Sequence, residues 1–184
     1  MRRFSVQELT NIALGIALIT VCSWISVPLT IPFTLQTFAV CLVTALLGGK
    51  QGCWAVTGYL LLAAAGAPVL SGFKGGLGAV MGVTGGYLLG FELTAATVGL
   101  SVRKWGKERI TLLLSMAAGV VLCYTFGTVW FIVLYTRTTG PVSFGTALGW
   151  CVMPYLIPDA AKILLATGLT RRLSPILSRK GTIR

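Results

Sequence analysis

The sequence predicts an all-α integral membrane protein with six transmembrane helices and both termini on the cytoplasmic side. Three observations lead there. Hydrophobic residues make up 55% of the 184-residue chain and charged residues 10%, with a mean hydropathy of +0.88, a balance outside the range of soluble domains. At about 20 residues per span, the length leaves room for roughly six helices with short loops and no appended soluble module, so residues 1–184 are expected to form a single transmembrane domain. The formal charge of +11 is carried by short basic clusters at the ends of apolar runs. With the N-terminus inside, Arg2, Arg3, Lys50, Arg103, Lys104, Lys107, Arg109, Arg171, Arg172, Arg179, Lys180 and Arg184 fall on the inner side and only Lys74 and Arg137 outside, as the positive-inside rule requires.

Taken in order, the spans are expected over residues 9–27, 35–47, 53–65, 78–102, 112–135 and 154–169. The first follows Arg2 and Arg3 and precedes further spans, so it reads as a retained helix rather than a cleaved signal peptide. It carries Ala13-x-x-x-Ala17 with Gly15 between them, a small-residue face that another membrane helix could approach closely. Pro28 and Pro32 break the chain into an extended connection. Gln36 and Thr37 then open the second span. The Gln36 amide reads either as a ligand contact or as a helix-end amide satisfied by water. Residues 48–52, GGKQG, form a tight turn before the third span. In the fifth span Trp130 and Tyr135 are placed like interface aromatics.

The central stretch, residues 67–91, holds eight of the 23 glycines. Gly78, Gly82, Gly86 and Gly90 recur every fourth residue, which on a continuous helix forms one bare stripe. Just before it, residues 72–76 are too glycine-rich for stable helix and hold Lys74 in apolar surroundings. Irregular backbone at membrane depth is tolerated where protein buries it or where it lines a cavity. The loop therefore reads as one wall of an outward-facing pocket, or else as a surface hairpin before a tightly packed helix. Thr84 and Tyr87 are polar handles beside the stripe. Glu92, inside the same span, reads as paired or protonated, or as a functional carboxyl.

Several classes are disfavoured. No G-x-x-x-x-G-K-[ST] motif occurs, so the chain carries no phosphate loop of its own. Histidine is absent and no cofactor or metal is expected. Cys22, Cys41, Cys53, Cys123 and Cys151 all lie in apolar segments without a CxxC and read as packing residues. No aromatic–basic surface accompanies the charge, so nucleic acid is not an expected partner.

The strongest chemical signal is Pro154-Tyr-Leu-Ile-Pro158-Asp159-Ala-Ala-Lys162. Pro158 suits the first turn of a helix, and Asp159 beside the positive helix end gains about 0.3–1 kcal/mol. Asp159 and Lys162 are three apart and share a face. At a helix centre each charge would cost roughly 2.5–3.5 kcal/mol. The pair reads as a polar clamp for a small ligand in preference to a self-satisfied structural ion pair.

Residues 32–38 (PFTLQTF), 66–73 (GAPVLSGF), 84–91 (TGGYLLGF) and 158–162 (PDAAK) together resemble the BioY family. These are the biotin-specific substrate-binding (S) components of energy-coupling-factor (ECF) transporters. The resemblance runs over the whole chain and implies the S-component fold, with an outward pocket roofed by the loops between helices 1–2 and 3–4. It implies that Asp159 and Lys162 contact the polar ends of biotin, with Gln36, Thr37, Lys74 and Tyr87 as further lining residues. It also implies residence in a prokaryotic plasma membrane and a non-enzymatic role beside a transmembrane coupling protein and two ATPases, docked on the Ala13/Ala17 face. The competing readings are an S component for another vitamin, a stand-alone secondary transporter and, least favoured, an intramembrane enzyme.

Overall fold

A computed structural model describes residues 5–27 and 33–179. Pro28, Pro32 and the terminal bases Arg2, Arg3, Lys180 and Arg184 lie outside the described residues. Helix dominates. In chain order come α1 (Val6–Trp24), the paired strands β1 (Ser26–Val27) and β2 (Phe33–Thr34), α2 (Gln36–Leu47), α3 (Gly49–Ala64) and α4 (Leu77–Val80). They are followed by α5 (Gly85–Trp105), α6 (Arg109–Thr138), α7 (Phe144–Cys151) and α8 (Leu156–Arg179). By length and composition three described stretches are apolar and long enough to cross a membrane: Val6–Trp24, Arg109–Thr138 and Phe144–Leu177.

Helix ends follow local chemistry. α1 opens on a capping box, in which Ser5 accepts from the Glu8 N–H while the Glu8 carboxylate accepts from the Ser5 N–H. The turn between α2 and α3 is shorter than expected. Gly48 alone makes it, at φ 82°, and α3 is already helical at Gly49. Lys107, counted above only as a topological base, donates from Nζ to the Leu46 carbonyl at 2.9 Å. It caps the end of α2, and its burial lowers its pKa.

The glycine stripe is the main correction. Residues 78–102 are not one helix: α4 ends at Val80, residues 81–84 turn, and α5 begins at Gly85. The stripe is thereby divided. Gly86 and Gly90 lie on α5 and admit α6, the most extensive helix–helix interface of the fold. A Cβ at Gly86 would sit 2.3 Å from Trp130 Cβ, and one at Gly90 would sit 2.8 Å from Cys123 Sγ. Gly78 and Gly82 instead border a cavity. Trp130 explains how the break is held, since its indole N–H donates to the Gly82 carbonyl at 3.0 Å. Trp130 is half-buried, and its indole N–H is engaged within the protein. Gly15 likewise faces inward against Val43 and Ala55, leaving Ala13 and Ala17 exposed on α1.

Two further differences concern the last third. No helix is expected from the sequence over residues 144–151, which follow a Gly-Pro turn; α7 forms there, opened by Ser143, whose hydroxyl accepts from the Thr146 N–H. α8 runs on through Pro175 to Arg179 rather than ending at 169. The core forms two clusters, one around Ile19, Tyr59 and Phe131 and one around Cys41, Leu112 and Met116. Phe38 and Tyr124 pack against both.

Widening the α5–α6 seam should therefore destabilise the fold selectively. Gly86→Leu is expected to cost about 1–3 kcal/mol and to lower the melting midpoint of the purified protein in detergent. Gly78→Ala meets open space and should leave the midpoint unchanged.

Candidate functional site

A cavity of about 270 Å3 opens among β2, α2, the segment between α3 and α5, α6 and the start of α8. It lies just below the usual range for ligand sites, about 300–1,000 Å3, and suits a compact ligand. Its polar floor is the Asp159–Lys162 pair. Both residues are 5% exposed, and Lys162 Nζ donates to Asp159 Oδ1 at 2.6 Å. The geometry comes from the chain just upstream. Residues 153–155 form a 3-10 turn with Pro154 in its first positions, and Pro158 occupies the first turn of α8, where no N–H is needed. Asp159 thus stands in the first turn of α8, and Lys162 one turn later on the same face.

Two aromatic residues that sequence reasoning did not single out complete this floor. Tyr124, from α6, donates its hydroxyl to Asp159 Oδ2 at 2.5 Å. Each carboxylate oxygen then has one donor, Oδ2 from α6 and Oδ1 from α8 itself. Phe33, from β2, lies under the ammonium, with Nζ 4.1 Å from its ring centroid. Such a cation–π contact contributes about 0.5–2 kcal/mol depending on desolvation. Phe33 is stacked in turn on Tyr155 at 6.4 Å. The available sequence signal for Tyr124 was a tyrosine in the middle of an apolar span, where its hydroxyl needs a partner.

The remaining expected residues divide by what they do. Thr37 lines the cavity. Lys74 lines it as well and is exposed, so its charge stands at the mouth. Tyr87 reaches it from α5, but its hydroxyl is engaged with Thr128 Oγ1 at 2.9 Å. Gln36 is at the wall and is already braced. Its Oε1 accepts from Thr34 Oγ1 at 2.9 Å and its Nε2 donates to the Tyr59 hydroxyl at 2.5 Å. Tyr59 donates onward to the Val69 carbonyl at 3.2 Å, in the glycine-rich segment. The glycine-rich segment does form a wall, through Leu70, Ser71 and Lys74. Cys123 and Cys151, expected only to pack, border the cavity too.

Ala13 and Ala17 lie elsewhere. They line a shallow apolar groove on α1 together with Ile16, Thr20, Val21 and Trp24, closed by Leu62 of α3. Glu92 is apart from both sites, accepting from Thr57 Oγ1 at 2.7 Å between α5 and α3. Among the described residues no group of His, Cys, Asp and Glu is arranged to hold a metal ion.

Known proteins agree with one another about this chain. The family model described as "BioY family" matches residues 1–179. A "Biotin transporter BioY" of Thermotoga maritima is 38% identical over 93% of this chain and 98% of its own length. A "Probable biotin transporter BioY" of Pyrococcus horikoshii is 34% identical over 91% and 96%. Among solved structures, "the S-component for biotin from an ECF-type ABC transporter" superposes with a TM-score of 0.81, at 26% identity, over 91% of this chain and 90% of that one. The helical architecture is therefore that of a solved S-component, and this chain belongs to the BioY family.

Proposed function

We propose that this chain binds biotin with high affinity and takes it up as the membrane-embedded S component of an ECF-type, ATP-dependent transporter. The observation that carries the reading is the Asp159–Lys162 pair, held by Tyr124 and Phe33 on the floor of a compact cavity, in a chain whose relatives are named biotin transporters.

The chemistry of the pair suits one end of biotin in particular. On each edge of a cyclic urea an N–H lies beside the C=O, a donor next to an acceptor. Asp159 is an acceptor next to Lys162, a donor with two protons beyond the one it gives Asp159. The ureido edge therefore fits the floor, with N–H to Asp159 and oxygen to Lys162. The ring system lies against Tyr87, Phe91 and Tyr155, and the carboxylate of the valerate chain points to the mouth, where Lys74 carries an exposed charge. Gln36 and Thr37 contribute the wall.

The rest of the reading concerns topology and partners. Residues 1–184 form a single membrane domain in which α1, α2, α3, α5, α6 and α8 make six spans of a prokaryotic plasma membrane. Both termini are cytoplasmic and the cavity opens outward, supported by the placement of the bases. The chain works as a transport subunit rather than an enzyme. A transmembrane coupling protein and two ATPases complete the transporter, with the exposed Ala13/Ala17 groove as the docking face for the coupling protein.

Three measurements test this. Biotin titration of the purified protein should show tight binding that ATP does not change. Asp159→Asn and Lys162→Met should each weaken it at least tenfold, about 1.4 kcal/mol, with unaltered elution from a sizing column. Tyr124→Phe removes one net hydrogen bond and should weaken binding about two- to tenfold; full affinity there would mean that Asp159 needs no second anchor. Biotin methyl ester should lose affinity in the parent but not further in Lys74→Ala, whereas equal loss in both would turn the ligand end for end. Ala13→Trp with Ala17→Trp should abolish uptake by cells that supply the coupling module while leaving biotin binding intact.

A further inference from the structure

The groove on α1 and the cavity are separate, yet one residue belongs to the surroundings of both. Trp24 closes the groove at its upper end, beside Val21 and Thr20. It is 39% exposed. Its indole N–H donates to the Pro68 carbonyl at 2.9 Å, and its ring lies 5.0 Å from that of Phe73. Pro68 and Phe73 bracket Leu70 and Ser71, which line the cavity. Residue 24 thus faces a prospective partner on one side and holds the cavity's cover on the other.

The cover, residues 67–76, is folded on itself, and among the described residues its backbone is tied to α3 at its two ends, Ala67 N–H donating to the Leu62 carbonyl at 3.0 Å. Leu70 N–H donates to the Lys74 carbonyl at 3.0 Å, and Gly76 N–H to the Ala63 carbonyl at 2.6 Å. From outside the segment, the Val69 carbonyl accepts from Tyr59, with Ser23 Oγ in bonding reach of the same oxygen. Ser23 is fully buried and Tyr59 is buried in the core, so a partner cannot touch either. Trp24 is different, because its tie to the cover is at the surface and inside the groove.

We infer that Trp24 is the positioning residue through which occupation of the α1 groove loosens the cover of the ligand cavity. A helix seated in the groove displaces the indole, which breaks the bond to Pro68 and removes the ring from Phe73. The segment 67–76 then keeps its ties to α3 and Ser23 but loses those to Trp24, and opens more often. By linkage the effect is reciprocal: a ligand that favours the closed cover opposes displacement of Trp24 to the same extent. The inference rests on the docking role proposed for the groove, but its core, that a body beside Trp24 acts on the cover, can be tested on this chain alone.

The test is hydrogen–deuterium exchange of the backbone amides of residues 67–76, on the full chain in lipid nanodiscs without ligand. Trp24→Phe keeps the ring and loses the donor; exchange in 67–76 should quicken about tenfold, with the amides of α6 unchanged. Phe73→Ala, at a side chain 65% exposed, removes the other half of the contact and should act alike. Val21→Trp fills the groove beside the indole, at a position 49% exposed, and should quicken the same amides. In Val21→Trp/Trp24→Phe the two effects should not add. Unchanged exchange in Trp24→Phe and Phe73→Ala, or full additivity in the double variant, overturns the inference. Where biotin binds, its release should be faster in the same variants. Absence of biotin binding would count against the proposed function, while the exchange data alone would still decide the role of Trp24.

Discussion

A cation and a carboxylate buried side by side at the start of α8 set the terms for everything around them. Removing either partner would leave an uncompensated charge in the interior, a loss of about 3–5 kcal/mol in comparable buried pairs. The surrounding elements are arranged accordingly. Two prolines fix where α8 begins, α6 supplies Tyr124 to the second carboxylate oxygen, and β2 supplies Phe33 beneath the ammonium. The arrangement is stable without being saturated. Asp159 keeps acceptor positions and Lys162 keeps two protons that these contacts do not use, and both residues border a cavity. A structural ion pair would have no need of that spare capacity.

How much of this was legible in the sequence follows from the range of each interaction. The i, i+3 pair Asp159–Lys162 and the proline-marked helix start are local, and spacing alone placed them on one face. The apolar runs likewise located the long helices to within a few residues at most ends. What spacing could not show was the partner from another element. Tyr124 is 35 residues from Asp159, and no periodicity links them. The glycine stripe misled for the same reason. Four glycines at every fourth position are compatible with one helix, but Trp130, 48 residues from Gly82, offers the donor that stabilises a break between the second and third. Gln36 borders the cavity, and its engagement by Thr34 and Tyr59 depends on α3 packing beside α2.

The two ends of the divided glycine stretch illustrate how a single residue type serves opposite purposes. Gly86 and Gly90 remove bulk so that α5 and α6 can touch, which makes that interface rigid. Gly78 and Gly82 border the cavity instead: a Cβ at Gly78 would meet open space, whereas one at Gly82 would press on the Gly78 carbonyl at 2.8 Å, so Gly82 is needed for the turn itself. The two pairs meet at the turn of residues 81–84, to which Gly82 itself belongs.

The length of α6 has a consequence of its own. Thirty residues of helix extend about 45 Å, against a hydrocarbon core about 30 Å thick. Such a helix must tilt or project, and the tilt it adopts depends on the thickness of the surrounding bilayer. The same helix carries Tyr124, Thr128 and Trp130 on neighbouring turns, in contact with Asp159, Tyr87 and the turn at Gly82. Any change in that tilt would carry Tyr124, Thr128 and Trp130 together, and with them one wall of the cavity.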